Sequence, residues 1–353
     1  MAPYDGVKPP LLSGFTLRCT ESQGLIQYEF WKPVGSGAVP VLRGVPEKGD
    51  GMRDRLAGLD TIEGVQHALL ERYYVANRGL ATTIFLSIKL GKPLFLEGEA
   101  GVGKTEVGKV LASVLATSLI RLQCYEGLDV HNAVYEWDYA RQILHLRLLE
   151  ASAATRAEME RDLYSREFLL ARPLLQAIKH EDGRVPVLLI DEIDRADEEF
   201  ESFLLEILSD FQITIPEIGT IRAEGPPFVV ITSNRTREVH DALKRRCLYQ
   251  WIDYPSFETE YQILQVKVPG ISDRLSFQIV SAVQSLRQVD LFKPPGVAET
   301  LDWANALLAM DQGELDEATV NDTLGVLLKY HDDVQSVQGA LARELVKQAH
   351  AGR

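Results

Sequence analysis

The stretch Leu94–Thr105 reads LFLEGEAGVGKT and decides the fold prediction. Its last eight residues, Gly98–Thr105, fit the pattern GxxxxGK[ST]. A short apolar run, Leu94–Leu96, precedes the pattern, and apolar residues at helical spacing follow it from Val107 onward. Glycines between a strand and a helix allow backbone N–H groups to turn toward phosphate oxygens. The sequence therefore predicts a phosphate-binding loop.

The loop and the first residues of the following helix form the predicted nucleotide-binding set. Lys104 is expected to neutralise the β- and γ-phosphates, and Thr105 is expected to hold Mg²⁺. ATP and Mg²⁺ are therefore the predicted cofactors. The complete set is Gly98, Glu99, Ala100, Gly101, Val102, Gly103, Lys104, Thr105 and Glu106.

A second apolar run, Val187–Ile190, ends in the acidic pair Asp191 and Glu192. Asp191 is expected to complete the Mg²⁺ shell, and Glu192 is expected to polarise the water that attacks the γ-phosphate. Because a P-loop kinase has no use for a water-activating carboxylate, the second acid favours hydrolysis. The acidic residues that follow, Asp197–Glu201, are interpreted as a solvent-exposed face.

Two further segments carry polar residues that a nucleotide site could use. The apolar run Phe228–Ile231 leads to Asn234, which is either an ordinary turn residue or a residue that reaches the γ-phosphate or the attacking water. Beside the other two motifs we favour the functional role, in which Asn234 aligns that water. Lys244–Arg246 closes a short helical segment before the strand-like run Tyr249–Ile252. These cations either cap the helix dipole, or one arginine projects into the nucleotide site of a neighbouring subunit.

The order of strand-like and helical patterns predicts the fold class and three regions. Between about residues 56 and 255 apolar runs alternate with helical patterns, which indicates a parallel sheet covered by helices on both sides. From 256 to 353 the pattern is helical and predicts a smaller domain. Residues 1–55 form an extension, in which alternating runs around Leu17 and Tyr28 indicate a β-hairpin and residues 40–51 resemble a linker.

Composition excludes several classes of protein. The 353 residues include 37 Lys and Arg against 51 Asp and Glu, a net charge of −14, which argues against a nucleic-acid partner. The three cysteines are widely spaced, which argues against a disulfide framework or a zinc site. We find neither a signal peptide nor an apolar run of the roughly 20 residues needed to span a membrane. A cytoplasmic location is expected.

The order of the motifs resembles that of the AAA+ ATPases and, among these, of the MoxR group. The acidic motif of that group reads close to DEINRA, and residues 191–196 read DEIDRA. The resemblance runs from about Gly64 to the end and is closest to the branch associated with maturation of the molybdenum–copper carbon monoxide dehydrogenase. The segments that carry it are Phe95–Thr105, Leu122–Leu128, Phe211–Ile215 and Lys244–Tyr254.

This resemblance implies a P-loop AAA+ αβα sandwich with a parallel sheet, followed by a smaller all-α lid domain. It also implies a hexameric ring that remodels a protein client, a metalloenzyme such as a molybdenum hydroxylase, with a von Willebrand factor A domain protein as a further partner. The residue roles it implies are Walker A for Lys104 and Thr105, Walker B for Asp191 and Glu192, sensor 1 for Asn234, and the arginine finger for Arg246.

Two segments raise questions that the resemblance leaves open. Residues 296–300 match the position of a sensor 2 arginine in many relatives but contain no arginine, and Lys293 is a nearby alternative. Residues 133–147 correspond to an inserted hairpin, with Tyr135, Trp137 and Tyr139 on one side. These aromatic residues are expected either to contact the client or the axial channel, or to pack against their own domain.

Three other functions fit the sequence less well than ATP-driven remodelling. A DNA-directed AAA+ motor or loader is disfavoured by the charge of −14 and by the absence of a basic tract. A small-molecule P-loop kinase is disfavoured by Glu192 and Arg246. A nucleotide switch without hydrolysis is disfavoured because the phosphate-side residues needed for turnover are all present in the sequence.

Overall fold

The computed structural model describes residues 16–22, 25–31, 58–151, 163–180 and 184–351. Near the N-terminus, β1 (Thr16–Ser22) and β2 (Leu25–Trp31) form an antiparallel pair in which Cys19 lies opposite Tyr28. These two strands cover the two alternating runs of the sequence. The linker predicted over 40–51 lies outside the described residues.

The main sheet has five strands, all parallel. The remaining strands among the described residues are β3 (Leu94–Gly98), β4 (Leu119–Gln123), β5 (Tyr135–Trp137), β6 (Leu169–Ala171), β7 (Val187–Asp191), β8 (Gln212–Ile215), β9 (Gly219–Arg222), β10 (Phe228–Ser233) and β11 (Leu248–Ile252). The main sheet has the order β11-β3-β10-β7-β4, and β5-β6 and β8-β9 are short antiparallel pairs. The predicted parallel sheet is confirmed.

Helices lie between the strands, and after β11 the described regular elements are helices joined by short loops. They are α1 (Ile62–Leu70), α2 (Arg78–Leu90), α3 (Lys104–Val114), α4 (Val130–Ala133), α5 (Tyr139–Ala151), α6 (Pro173–Ile178), α7 (Glu198–Asp210), α8 (Asp241–Arg246), α9 (Phe257–Lys267), α10 (Asp273–Leu286), α11 (Val297–Ala309), α12 (Glu317–Leu327), α13 (His331–Val337) and α14 (Ala340–Ala351). Within the described part of the chain, every helix is too short or too polar to cross a lipid bilayer.

The main sheet is buried on both faces, as its apolar strands require. Successive side chains of a strand point to opposite faces. Accordingly, Leu188 and Ile190 of β7 join an apolar cluster with α6 and α7, whereas Val187 and Leu189 join another with α1, α2 and α3. This two-sided burial explains why β7 is a continuous apolar run instead of an alternating one.

The helices after residue 255 enclose an apolar cluster of their own. Trp303 is fully buried there, and its indole N–H donates to Thr323 Oγ1 at 2.8 Å. Glu260 is also fully buried and accepts two hydrogen bonds of 2.7 Å from the Arg287 guanidinium. This bidentate pair joins α9 to the end of α10.

The prediction of a hairpin over residues 133–147 is wrong. β5 pairs with β6 about thirty residues later, and residues 139–151 form α5 instead of a returning strand. Trp137 is 7% exposed and meets Tyr164 edge to face, with ring centroids 5.5 Å apart. Trp137 therefore packs against its own domain, whereas Tyr139 is 64% exposed at the start of α5.

Candidate nucleotide site

The glycine-rich loop connects β3 to α3 at the carboxyl end of the sheet. At Gly98, φ is 158° and an added Cβ would lie 2.0 Å from the carbonyl oxygen of Ile252 on β11. Gly103 takes a left-handed conformation, with φ of 94°, as the N-cap of α3. A side chain at either position would oppose the path of the loop, which explains the need for glycine there.

Lys104 begins α3 and lies under the loop. Its ammonium group donates to the carbonyl oxygens of Gly98 at 2.7 Å and Glu99 at 2.5 Å. Burial lowers the pKa of Lys104 to about 8, and this shift is opposed by nearby carboxylates, with Asp194 the strongest of them. The lysine is thus held at the place where the motif predicts contact with phosphate.

Asp191, at the end of β7, connects three elements of the site. Its Oδ1 accepts hydrogen bonds from Thr105 Oγ1 at 2.8 Å and Thr232 Oγ1 at 2.6 Å. Its Oδ2 accepts from Nε and Nη2 of Arg121 on β4, at 3.0 and 2.5 Å. The structure therefore brings Thr105 and Asp191 together, as their predicted shared role requires.

Sequence reasoning missed the roles of Thr232 and Arg121. Thr232 stands directly before Ser233 and Asn234 at the end of an apolar strand, where only Asn234 was singled out. Arg121 is the charged residue within LIRLQ, the sequence of β4. A cation in a strand beside the acidic strand is the signal that could have identified it.

Glu192 follows β7 in a left-handed backbone conformation, with φ of 57° and ψ of 52°. Its N–H donates to Thr232 Oγ1 at 2.9 Å, so the same hydroxyl fixes both members of the acidic pair. Left-handed conformations of residues other than glycine are costly and collect at functional sites. The turn therefore fixes the backbone of Glu192 directly after the buried Asp191.

Asp194 anchors the loop that carries Asn234, a role that sequence reasoning did not assign. It is 3% exposed, and its two carboxylate oxygens accept the backbone N–H groups of Asn234 at 3.1 Å and Thr236 at 2.9 Å. The hydroxyl of Thr236 adds a bond of 2.6 Å. Asn234 is thereby tied to the turn that follows Glu192.

The basic side chains at the end of α8 contact two different parts of the protein. Lys244 lies 3.3 Å from the buried carboxylate of Glu97, the residue before Gly98, and so ties α8 to the glycine-rich loop. Arg246 instead donates to the carbonyl of Leu205 and the hydroxyl of Ser209 on α7. The contacts of Arg246 therefore lie on α7 and not on the phosphate loop of its own chain.

The N-terminus of α11 covers the glycine-rich loop. The N–H of Ala298 donates to the carbonyl of Gly101 at 3.1 Å, and a Cβ on Gly101 would lie 2.9 Å from Glu299 Oε2. Lys293, the suggested alternative to a sensor 2 arginine, has an exposed side chain, and its backbone N–H donates to Asp333. The contact of this region with the loop is thus made by α11.

The interpretation of Asp197–Glu201 as a solvent-exposed face is wrong for Glu201. This residue is fully buried and accepts the His240 N–H at 2.7 Å and the guanidinium of Arg237. Glu198 and Glu199 are exposed, as expected. Glu201 lies on the same buried side of α7 as Phe200, which explains why it is buried while Glu198 and Glu199 are exposed.

The donor set suits the predicted ligands. Hydroxyl and carboxylate oxygens are the ligands that Mg²⁺ prefers in proteins, and Thr105 and Asp191 supply one of each. The loop presents backbone N–H groups at the start of α3, which is the geometry that binds phosphate. These residues fit a magnesium nucleotide.

Comparison with known proteins agrees with this geometry. Residues 93–247 match the family model described as the AAA domain of the dynein-related subfamily. The protein is an ATPase. The match contains the glycine-rich loop, the acidic pair and Asn234, and it ends directly before β11. The fold is the P-loop α/β fold of AAA+ ATPases, with a helical region after it.

Individual proteins that resemble this chain share only a small part of its sequence. An uncharacterised protein of Staphylococcus aureus strain bovine RF122 / ET3-1 is 26% identical over 217 residues, covering 58% of this chain and 74% of the relative. A protein of strain USA300 is 25% identical with the same coverage. The Thermotoga maritima RuvB Holliday junction branch migration motor has a TM-score of 0.40 and 16% identity over 76% of this chain and 72% of its own. A TM-score this low carries no functional argument.

Proposed function

We propose that this ATPase uses Mg²⁺-dependent hydrolysis of ATP to remodel a protein client. The observation that carries the proposal is the hydrogen-bonded group of Thr105, Thr232 and Asp191 at the ends of α3, β10 and β7. It joins the glycine-rich loop to the acidic pair, and hydrolysis needs both to act on one nucleotide. The AAA domain matched over 93–247 supports the same activity.

Each residue of the site has a proposed role. Lys104 neutralises the phosphates, Thr105 and Asp191 hold Mg²⁺, and the bound metal offsets the negative charge of the β- and γ-phosphates. Glu192 takes a proton from the attacking water, and Asn234 orients that water. The fixed turn after Asp191 and the anchoring of the Asn234 loop by Asp194 support these two roles.

Arg246 is proposed to act across a subunit boundary in a hexameric ring. Its side chain is exposed at the end of α8, and its contacts lie on α7, away from the glycine-rich loop of its own chain. An arginine that completes a neighbouring site accelerates phosphoryl transfer by about 10³- to 10⁵-fold in nucleotide hydrolases. Subunit contact would then control turnover.

The client is proposed to be a metalloenzyme, such as a molybdenum hydroxylase, that is assembled or activated in the cytoplasm. The support is the sequence resemblance to the MoxR group, in which DEIDRA at 191–196 stands for a motif close to DEINRA. A von Willebrand factor A domain protein is the proposed additional partner. The net charge of −14 disfavours nucleic acid in this role.

The direct test is release of phosphate from ATP without any added acceptor, for the native protein and for Glu192→Gln. The variant is expected to bind ATP normally and to lose about 10²- to 10⁴-fold in turnover, the usual contribution of a general base. Glu198→Gln is the matched control, since Glu198 is an exposed acid just beyond the same strand. Native turnover in Glu192→Gln would overturn the assignment. ADP formed only when an acceptor is present, with the phosphoryl group on the acceptor and no free phosphate, would indicate a kinase.

A further inference from the structure

The carboxylate of Asp191 is fully used by donors from its own chain. The residue is 1% exposed, and two hydroxyls, those of Thr105 and Thr232, share Oδ1. Nε and Nη2 of Arg121 share Oδ2 at 3.0 and 2.5 Å. A carboxylate offers about four acceptor positions, so a further ligand at Asp191 must displace one of these donors.

Arg121 reaches Asp191 along the sheet and from its solvent-exposed edge. In the parallel register Arg121 lies opposite Leu189, and Gln123 lies opposite Asp191. To reach Asp191, the guanidinium of Arg121 therefore extends by two residue positions toward the carboxyl ends of the strands. Its Nη2 also contacts Gln123 Oε1 at 2.5 Å. The side chain is 48% exposed, whereas that of Asp191 is 1% exposed. Arg121 can therefore move into water while Asp191 stays in place.

A buried carboxylate is costly unless a cation accompanies it. Arg121 supplies a positive charge to Asp191, and a divalent metal at the same carboxylate would supply one as well. Arg121 and the metal would both be attracted to the Asp191 carboxylate. The lone pairs of that carboxylate already accept hydrogen bonds from Thr105, Thr232 and Arg121. Binding of one cation therefore weakens binding of the other.

We infer that Arg121 competes with Mg²⁺ for Asp191 and so sets the Mg²⁺ concentration at which the nucleotide site is completed. This inference rests on the proposed function, because it takes Asp191 as a metal ligand. Arg121 is a positioning residue in this scheme: it holds the carboxylate toward Thr105 and releases Oδ2 as the metal binds. No bond to the nucleotide is required of it.

The expected effect is a lower requirement for Mg²⁺ when the guanidinium is removed. Hydrogen bonds to a charged group are stronger than neutral ones, so Arg121→Gln should lower the half-saturating Mg²⁺ concentration by about tenfold or more. Arg121→Lys keeps the charge but loses the paired donors, and it should fall between the native protein and Arg121→Gln.

The test is a Mg²⁺ titration of binding of a fluorescent ATP analogue, in the Glu192→Gln background to prevent turnover. Arg78→Gln is the matched control, because it removes an arginine from an exposed pair with Glu63 at the surface. A shift to lower Mg²⁺ in Arg121→Gln, with no shift in Arg78→Gln, supports the competition.

An unchanged or higher Mg²⁺ requirement in folded Arg121→Gln overturns the inference. If Arg121→Gln does not fold, the titration of Arg121→Lys decides in the same way. The proposed function fails separately: in that case the protein with native Arg121 shows no Mg²⁺-dependent binding of the analogue. The two failures are therefore distinguished by the protein in which they occur.

Discussion

Asp194 shows how a single carboxylate to which the motif assigned no role can organise the site. Its two oxygens hold the backbone of Asn234 and Thr236, and the residue lies within the turn that begins at Glu192. Neither contact is made to a residue that is predicted to hold ATP or Mg²⁺. The residue therefore acts on the chemistry through the position of Asn234.

We expect Asp194→Ala to lower turnover by about tenfold to 100-fold while ATP binding changes little. The physical reason is that two backbone N–H groups lose their acceptor, which loosens the Asn234 loop. Asp194→Asn keeps one acceptor oxygen and should recover part of the loss. Turnover and the Kd for ATP, measured for both variants, check this. Equal loss in the two variants, or a large loss of ATP binding, would contradict a positioning role.

The thiols give a pH-dependent prediction. Cys124 and Cys247 are free and buried, and burial raises the pKa of each to about 12. Only the thiolate reacts, so at pH 8 about one part in 10⁴ of each group is reactive. Labelling by a disulfide reagent should therefore be very slow and rise about tenfold from pH 8 to pH 9, well below the pKa.

Peptide mapping of the labelled protein checks this prediction, because it separates these two sites from Cys19. Unfolding in guanidinium should make both thiols react rapidly at pH 8, which is the control. Rapid labelling of Cys124 or Cys247 in the folded protein would show that the thiol is accessible and its pKa ordinary.

At the scale of secondary-structure elements, one buried ion pair fixes the helices after β11. Glu260 on α9 accepts hydrogen bonds from the Arg287 guanidinium at 2.7 Å and from the hydroxyl of Thr300 on α11 at 2.8 Å. The Arg287 guanidinium also lies over the ring of Tyr254, 4.7 Å from its centroid. The pair therefore joins three helices to the segment that follows β11.

Arg287→Met is expected to destabilise the protein by about 3–5 kcal/mol, because Glu260 would remain buried without a partner. The matched control is Arg343→Met: Arg343 and Glu317 form an equally bidentate pair on the surface, and its loss should leave Tm nearly unchanged. Thermal unfolding measures both. Similar Tm values for the two variants would contradict the distinction.

The elements that sequence could predict are those with an unambiguous period or motif. Strand β7 is a continuous apolar run before two acids, and it lies in the parallel sheet that the alternation of strands and helices predicts. The hairpin predicted over residues 133–147 is wrong because a short alternating run does not reveal its partner, and β6 lies far along the chain. The contacts of Arg121 depend on the register of β4 against β7, which no local pattern encodes.

At the scale of the whole molecule, the phosphate loop lies under a second group of helices. The N-terminus of α11 touches Gly101, and Lys267 of α9 lies 3.0 Å from Glu106 on α3. The helices after residue 255 have their own apolar cluster around Trp303. A change in the position of the loop would therefore act directly on these helices, as the proposed remodelling activity requires.

Nucleotide-driven assembly is the property on which the proposed remodelling activity depends most directly. The measurement is the solution mass of Glu192→Gln by light scattering, with and without Mg²⁺ and ATP. We predict a change from the 39.4 kDa chain, or a small oligomer, to about six times the mass of one chain. Such a ring would place Arg246 at a subunit boundary. A mass that stays at that of one chain under saturating ATP would contradict the ring and the role of Arg246 in a neighbouring site.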